Sequence, residues 1–180
     1  MHPVMILLGV LAPLAFMACV ALGLPLWWAG AALLPLALIR RDTRALARWI
    51  GPPAALLGLL TLLTRAEWPL RVYPVLNNTA WLALFAWSLH HPPTLIERIA
   101  RLSEPDLSPA GVAYTRRVTQ AWCGFFVVNG LIALATGLWA DSRTWALYNG
   151  GIAYALMGAM FGGEWLVRRR VRAREAMRHG

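Results

Sequence analysis

The stretch VTQAWCGFFVVNGLIALATGLWA, Val118–Ala140, decides what kind of molecule this is. It begins after the pair Arg116-Arg117, ends at Asp141, and no charged residue interrupts it. A helix rises about 1.5 Å per residue and the hydrocarbon core of a bilayer is about 30 Å thick, so roughly 20 such residues cross it. The whole chain agrees with that reading. Hydrophobic residues are 59% of the 180 positions and charged residues 14%, too apolar and too sparsely charged for a soluble domain of this size.

Working outward, Trp145–Val167 is the next span, after the tight connection Asp141-Ser142-Arg143-Thr144. Upstream lies Tyr73–His90, and before it Trp49–Thr64, which opens with Pro52-Pro53 near its first turn, where missing N–H groups cost least. Val4–Ile39 is too long for one span; Gly23-Leu24-Pro25 divides it into two short ones, with Trp27 and Trp28 at headgroup level. The expected fold is therefore all-α, a polytopic membrane bundle of six transmembrane helices at about 4–22, 25–39, 49–64, 73–90, 118–140 and 145–167. A basic cytoplasmic tail, 168–180, follows. The first residues lack the basic n-region of a signal peptide, so span one is expected to stay in the mature protein.

Arginine placement sets the orientation. All 17 basic residues are Arg. Fourteen of them follow spans two, four and six, whereas the opposite side holds only Arg65, Arg71 and Arg143. This positive-inside bias is expected to put both termini in the cytoplasm. The tryptophans, nearly all close to helix ends, fit an interfacial belt. The formal charge of +9 then points to anionic headgroups of the lipid bilayer, not to nucleic acid, because the arginines flank apolar runs. Cys19 and Cys123 fall in different spans at opposite depths and are read as packing residues, not as a disulfide.

The long inner loop carries a capping-box pattern, Thr94-Leu95-Ile96-Glu97, ahead of a short amphipathic helix between spans four and five. Leu95, Ile96, Ile99 and Leu102 are expected on one face, resting on the inner membrane surface. Ser108-Pro109 restarts a helix that runs into span five. Two uses are open for the basic residues Arg98, Arg101, Arg116 and Arg117: a solvated linker, or a docking surface for an acidic cytosolic partner.

Inside the membrane the informative positions are polar. Asn77, Asn78, Asn129 and Asn149, with Tyr148, gather toward the outer half of three spans, bordered by Arg71 and Tyr73. Amides in hydrocarbon are costly unless they face each other, so interhelical hydrogen bonding is one reading and an outward-opening pocket the other. Gly151, Ala155, Gly158 and Gly162 form a small-residue stripe for packing within the bundle, or for a homodimer seam. Span five offers Thr119, Cys123, Phe126, Asn129 and Gly130 as its partner face. No nucleophile–base pair and no metal-type spacing appears, so no catalytic residue, cofactor or metal is assigned.

Several of these residues occur as motifs in consistent order. They are Arg71-x-Tyr73-Pro74-Val75-Leu76-x-Asn78, the run IERIARLSEPDLSP (Ile96–Pro109), Tyr114-Thr115-Arg116-Arg117-Val118-Thr119, Trp122-Cys123-Gly124-Phe125-Phe126-x-x-Asn129-Gly130 and Trp145-x-x-Tyr148-Asn149-Gly150. From Arg71 to Arg168 the chain resembles the small integral membrane proteins encoded among aryl-polyene and xanthomonadin-type pigment genes of Gram-negative bacteria. The resemblance implies an accessory role in fatty-acid-like lipid assembly or transfer at the bacterial inner membrane, and the lack of catalytic motifs makes a noncatalytic one the expectation. Acyl carrier protein and acyl-activating or acyltransferase enzymes would be the neighbours, and the basic inner face would dock one of them. Two alternatives stand beside it: a transporter or lipid-handling subunit using the outer polar cluster, and a membrane-embedded acyl-processing enzyme.

Overall fold

A computed structural model describes residues 15, 17–19, 21–25, 27–31 and 45–179, with side chains of 45–51, 54 and 169–179 left aside. The expected spans 4–22 and 25–39 lie largely outside the described residues. Every long element among those described is helical: α1 (Ala45–Thr64), α2 (Trp68–His90), α3 (Leu95–Arg101), α4 (Pro109–Trp139), α5 (Ser142–Leu147), a π-helical turn (Tyr148–Ile152) and α6 (Ala153–His179). No strand occurs among them.

Helix ends follow side-chain chemistry. Thr94 accepts from the Glu97 N–H at 3.3 Å to start α3, and Ser108 accepts from the Gly111 N–H at 3.1 Å to start α4, with Pro109 in its first turn. Asp141 caps α5, accepting from the Arg143 and Thr144 N–H groups at 2.9 and 3.0 Å and from the Thr144 hydroxyl at 2.7 Å. The Thr144 backbone and hydroxyl donors hold this exposed carboxyl below its ordinary range. At the other end of α2, the His91 ring lies 3.0 Å from the Trp87 carbonyl and stacks on the Trp87 indole.

Three boundaries differ from those read in the sequence. α1 starts at Ala45 instead of Trp49, so Pro52 and Pro53 stand inside the helix and not near its first turn. α2 starts at Trp68 instead of Tyr73, because Pro69 fits a helix's first turn and Leu70 is fully buried behind it. α5, the π-turn and α6 follow one another without a break, and α6 continues to His179. The segment 168–179 is thus a helical extension; between Gly163 and Gly180 there is no Gly or Pro, and Arg, Glu, Ala, Leu and Met all favour helix. The apolar side of α3 does not lie wholly on the surface. Glu97 and Ala100 are buried and Leu95 and Ile96 pack on the aromatic core, whereas Ile99 and Leu102 stay exposed. Glu97 pairs with Arg101 at 2.8 Å, which neutralises the carboxylate that the helix buries.

The core is aromatic. Phe85 of α2 meets Trp122 and Phe126 of α4, with Phe85 and Phe126 ring centroids 5.2 Å apart. Trp122 reaches Phe161 of α6 at 4.7 Å. Above this core α2 and α4 close in, and a Cβ added at Gly130 would lie 3.2 Å from Asn78 Cβ. α4 is the one helix among the described residues long and apolar enough to cross a membrane, and only 22% of its most apolar window is buried. The core helix of a soluble domain would bury most of its apolar surface.

The close approach at Gly130 gives a prediction. Gly130→Val should lower stability by about 1–3 kcal/mol, because the new methyls meet a Cβ on a packed helix. Gly124→Val on the same helix has open space around it and should leave thermal unfolding of the detergent-purified protein unchanged.

Candidate functional site

The last carbonyls of any helix lack intrahelical donors, and α4 ends where little water would reach it if it spans a bilayer. Arg71 of α2 supplies the donors. One guanidinium nitrogen donates to the Gly137 carbonyl at 3.2 Å and the Ala140 carbonyl at 2.9 Å. The other donates to the Ser142 hydroxyl at 2.9 Å and pairs with Glu67 at 3.3 Å, while Ser142 in turn donates to Glu67. The same guanidinium lies 5.9 Å from the ring centroid of the fully buried Trp145. Arg71 therefore caps α4 and ties α2 to α5.

About two turns further into α2 the amides begin. Asn78 is buried; its Nδ2 donates to the Pro74 carbonyl at 2.8 Å and its Oδ1 accepts from Asn129 Nδ2 at 3.0 Å. Asn129 Oδ1 accepts from the Tyr148 hydroxyl at 2.9 Å. One chain of hydrogen bonds thus joins α2, α4 and the π-turn. Asn149 belongs to a second, shorter set: its Nδ2 donates to Thr136 Oγ1 at 3.1 Å and to the Trp145 carbonyl at 3.0 Å. That second bond engages a carbonyl in the helical ladder just where it widens into the π-turn, and the Ala153 N–H reaches five residues back to Tyr148.

Asn77 and Tyr73 join neither set. They line a cavity of about 40 Å³ between α2, α4 and the last helix, together with Asn78, Asn129, Asn149 and Tyr154. Phe126 and Met157 form part of its apolar wall. A water needs about 10–15 Å³ of such space, so the cavity holds a few waters or one small group, and an acyl chain does not fit within it. Asn129, with Tyr148, also edges an open apolar groove of about 500 Å³ over Gly124, Val128, Ile132 and Met160.

The remaining expected residues are placed differently. Three of the four arginines on the proposed docking face are engaged in backbone caps or an ion pair. Arg98 donates to the Pro93 and His91 carbonyls, Arg101 binds Glu97 and the Pro105 carbonyl, and Arg116 donates to the Leu89 carbonyl. Arg117 is exposed and outside these bonds. In the small-residue stripe, Gly151 lies near Met17, its added Cβ 3.8 Å from the sulfur. Ala155, Gly158 and Gly162 are exposed, with nothing within 4 Å of a Cβ at either of those two glycines. Gly130 packs on α2, not on the last helix. Cys19 and Cys123 are free.

Sequence reasoning missed Glu67, Ser142 and Thr136. Glu67 was findable, standing four residues before Arg71. Ser142 and Thr136 carry no local signal, because their partners arrive from distant elements.

The amide chain predicts unequal costs. Asn78→Leu should lower the unfolding temperature, and Asn77→Leu should not. A double-mutant cycle on Asn78 and Asn129 should return a coupling near 0.6 kcal/mol, at most about 1.7 kcal/mol, the range of bonds between membrane helices.

A scan against protein-family models, a search of characterised proteins and a search of solved structures each find no match to this chain.

Proposed function

We propose that the chain is a multi-pass inner-membrane protein of six spans with both termini cytoplasmic. In this reading it serves without catalysis as an accessory component of aryl-polyene-type, fatty-acid-like lipid assembly or transfer. One observation carries the membrane part. α4 combines the required length and hydropathy with an outward face that stays apolar: Val128, Leu131, Leu138 and Trp139 are all exposed. The polar side chains at its depth bond across to other helices, as a low-dielectric surrounding demands. The pathway is supported by the motif resemblance between Arg71 and Arg168.

Docking of an acyl carrier protein, or of its activating or transferring enzymes, needs uncommitted cations on the cytoplasmic face. Arg117 meets that need better than Arg98, Arg101 and Arg116, whose guanidinium groups hold the ends of α2 and α3. A second reading, a lipid-handling subunit, is favoured by a polar cavity and an apolar groove that share Asn129 in their walls.

Deletion of the gene followed by lipid and pigment analysis of both membranes tests the proposal. Carrier-bound acyl intermediates should accumulate if the role is assembly, and finished product should remain at the inner membrane if the role is transfer. Product unchanged in amount and location would contradict both.

A further inference from the structure

The last helix and the π-turn before it are joined to α4 at two levels. The outer end is tied to α4 through Tyr148–Asn129 and Asn149–Thr136, and the inner end through Trp122–Phe161 and the Tyr114 hydroxyl on the Glu164 carbonyl. Between those ties lies the 40 Å³ cavity, and its hydrogen-bonding capacity is unevenly used. Both ends of the Asn78 and Asn129 amides are engaged, as is Asn149 Nδ2. Among the described residues, the whole amide of Asn77, the Oδ1 of Asn149 and the hydroxyls of Tyr73 and Tyr154 are left for an occupant. They come from two facing walls, α2 on one side and the π-turn with α6 on the other.

Donors and acceptors are both present, and no Arg, His, Asp or Glu lines the cavity. Arg71 is turned toward the end of α4. A charged group would therefore be buried without a counterion, and a purely apolar one would leave amide and phenol groups without partners; each is costly. The volume admits only a small group, while Phe126 and Met157 supply apolar contact beside it. We propose that this cavity binds the uncharged hydrogen-bonding end of an amphiphile, a hydroxyl or primary carboxamide, with its adjoining methylenes against Phe126 and Met157 and the rest of the chain leaving past the exposed Tyr154. The proposal rests on the lipid-handling reading and names the chemistry its ligand must have.

Photo-crosslinking of the full-length protein in nanodiscs tests it, using a long-chain primary alcohol that carries a diazirine in its chain. The matching alkane and the ionised matching carboxylate serve as comparators. The alcohol should label the Phe126 and Met157 region roughly tenfold more than either, the ratio for about 1.4 kcal/mol. Asn77→Leu and Tyr154→Phe, which remove no bond between described residues, should retain the unfolding temperature and each cut labelling severalfold. Equal labelling by the alkane, preference for the carboxylate, or labelling insensitive to both variants would overturn the site; water alone filling the cavity gives the first of these. Cells carrying the two variants separate this proposal from the wider one. Normal product in cells with alcohol labelling intact in the wild-type protein rejects lipid handling and keeps the site. Altered product without alcohol labelling rejects the site and keeps lipid handling.

Discussion

The guanidinium of Arg71 sits where α2 starts and α4 ends, and holds the Gly137 and Ala140 carbonyls along with Glu67 and Ser142. Its consequence is register. α2 and α4 run antiparallel, so fixing Arg71 against Gly137 fixes every later pairing. Seven residues further along α2 is Asn78, and seven residues back along α4 is Gly130, each displaced by about 10.5 Å at 1.5 Å per residue. Those two positions do meet, Cβ to added Cβ at 3.2 Å, with Asn129 beside them donating to Asn78. Another seven residues bring Phe85 opposite Cys123, between Trp122 and Phe126, which form the aromatic core. One cap thus aligns the close approach, the amide chain and the core.

Such an arrangement suits a low-dielectric surrounding. In water the amides would exchange partners freely, and a bond between them would stabilise little. At the depth of an apolar helix whose side chains face outward, unpaired amides are costly, so register and polar satisfaction reinforce each other. The groups that register does not satisfy, on Asn77, Asn149, Tyr73 and Tyr154, then stand out as candidates for contact with something else.

Much of this was legible from residue order. The apolar run at Val118–Ala140 announced α4, Thr94 and Ser108 announced two helix starts, and the four asparagines grouped in the sequence line one cavity. Three-dimensional identity was not legible. Which amide faces which depends on the α2–α4 register, and that is set by an arginine bonding backbone carbonyls, which any sequence offers. The arginines of the inner loop read as a surface because charge is visible in sequence, whereas the carbonyls that Arg98, Arg101 and Arg116 hold are not. α3 is amphipathic as its spacing says, but residue order does not show that Leu95 and Ile96 pack on the core, and a buried Glu97 paired with Arg101 looks the same in sequence as a solvated one.

The register is tested most directly by disulfide trapping in membranes. Asn78→Cys and Gly130→Cys would be introduced together after Cys19 and Cys123 are replaced by Ser, with Arg71 present or changed to Met. Cβ atoms this close fall near disulfide reach, about 3.5–4.5 Å. With Arg71 present the 78–130 pair should oxidise readily and a pair one turn away, 82–130, should not. With Met at position 71 the preference should weaken. Equal trapping of both pairs, or a preference untouched by Arg71→Met, would contradict the claim that this cap sets the fold's alignment.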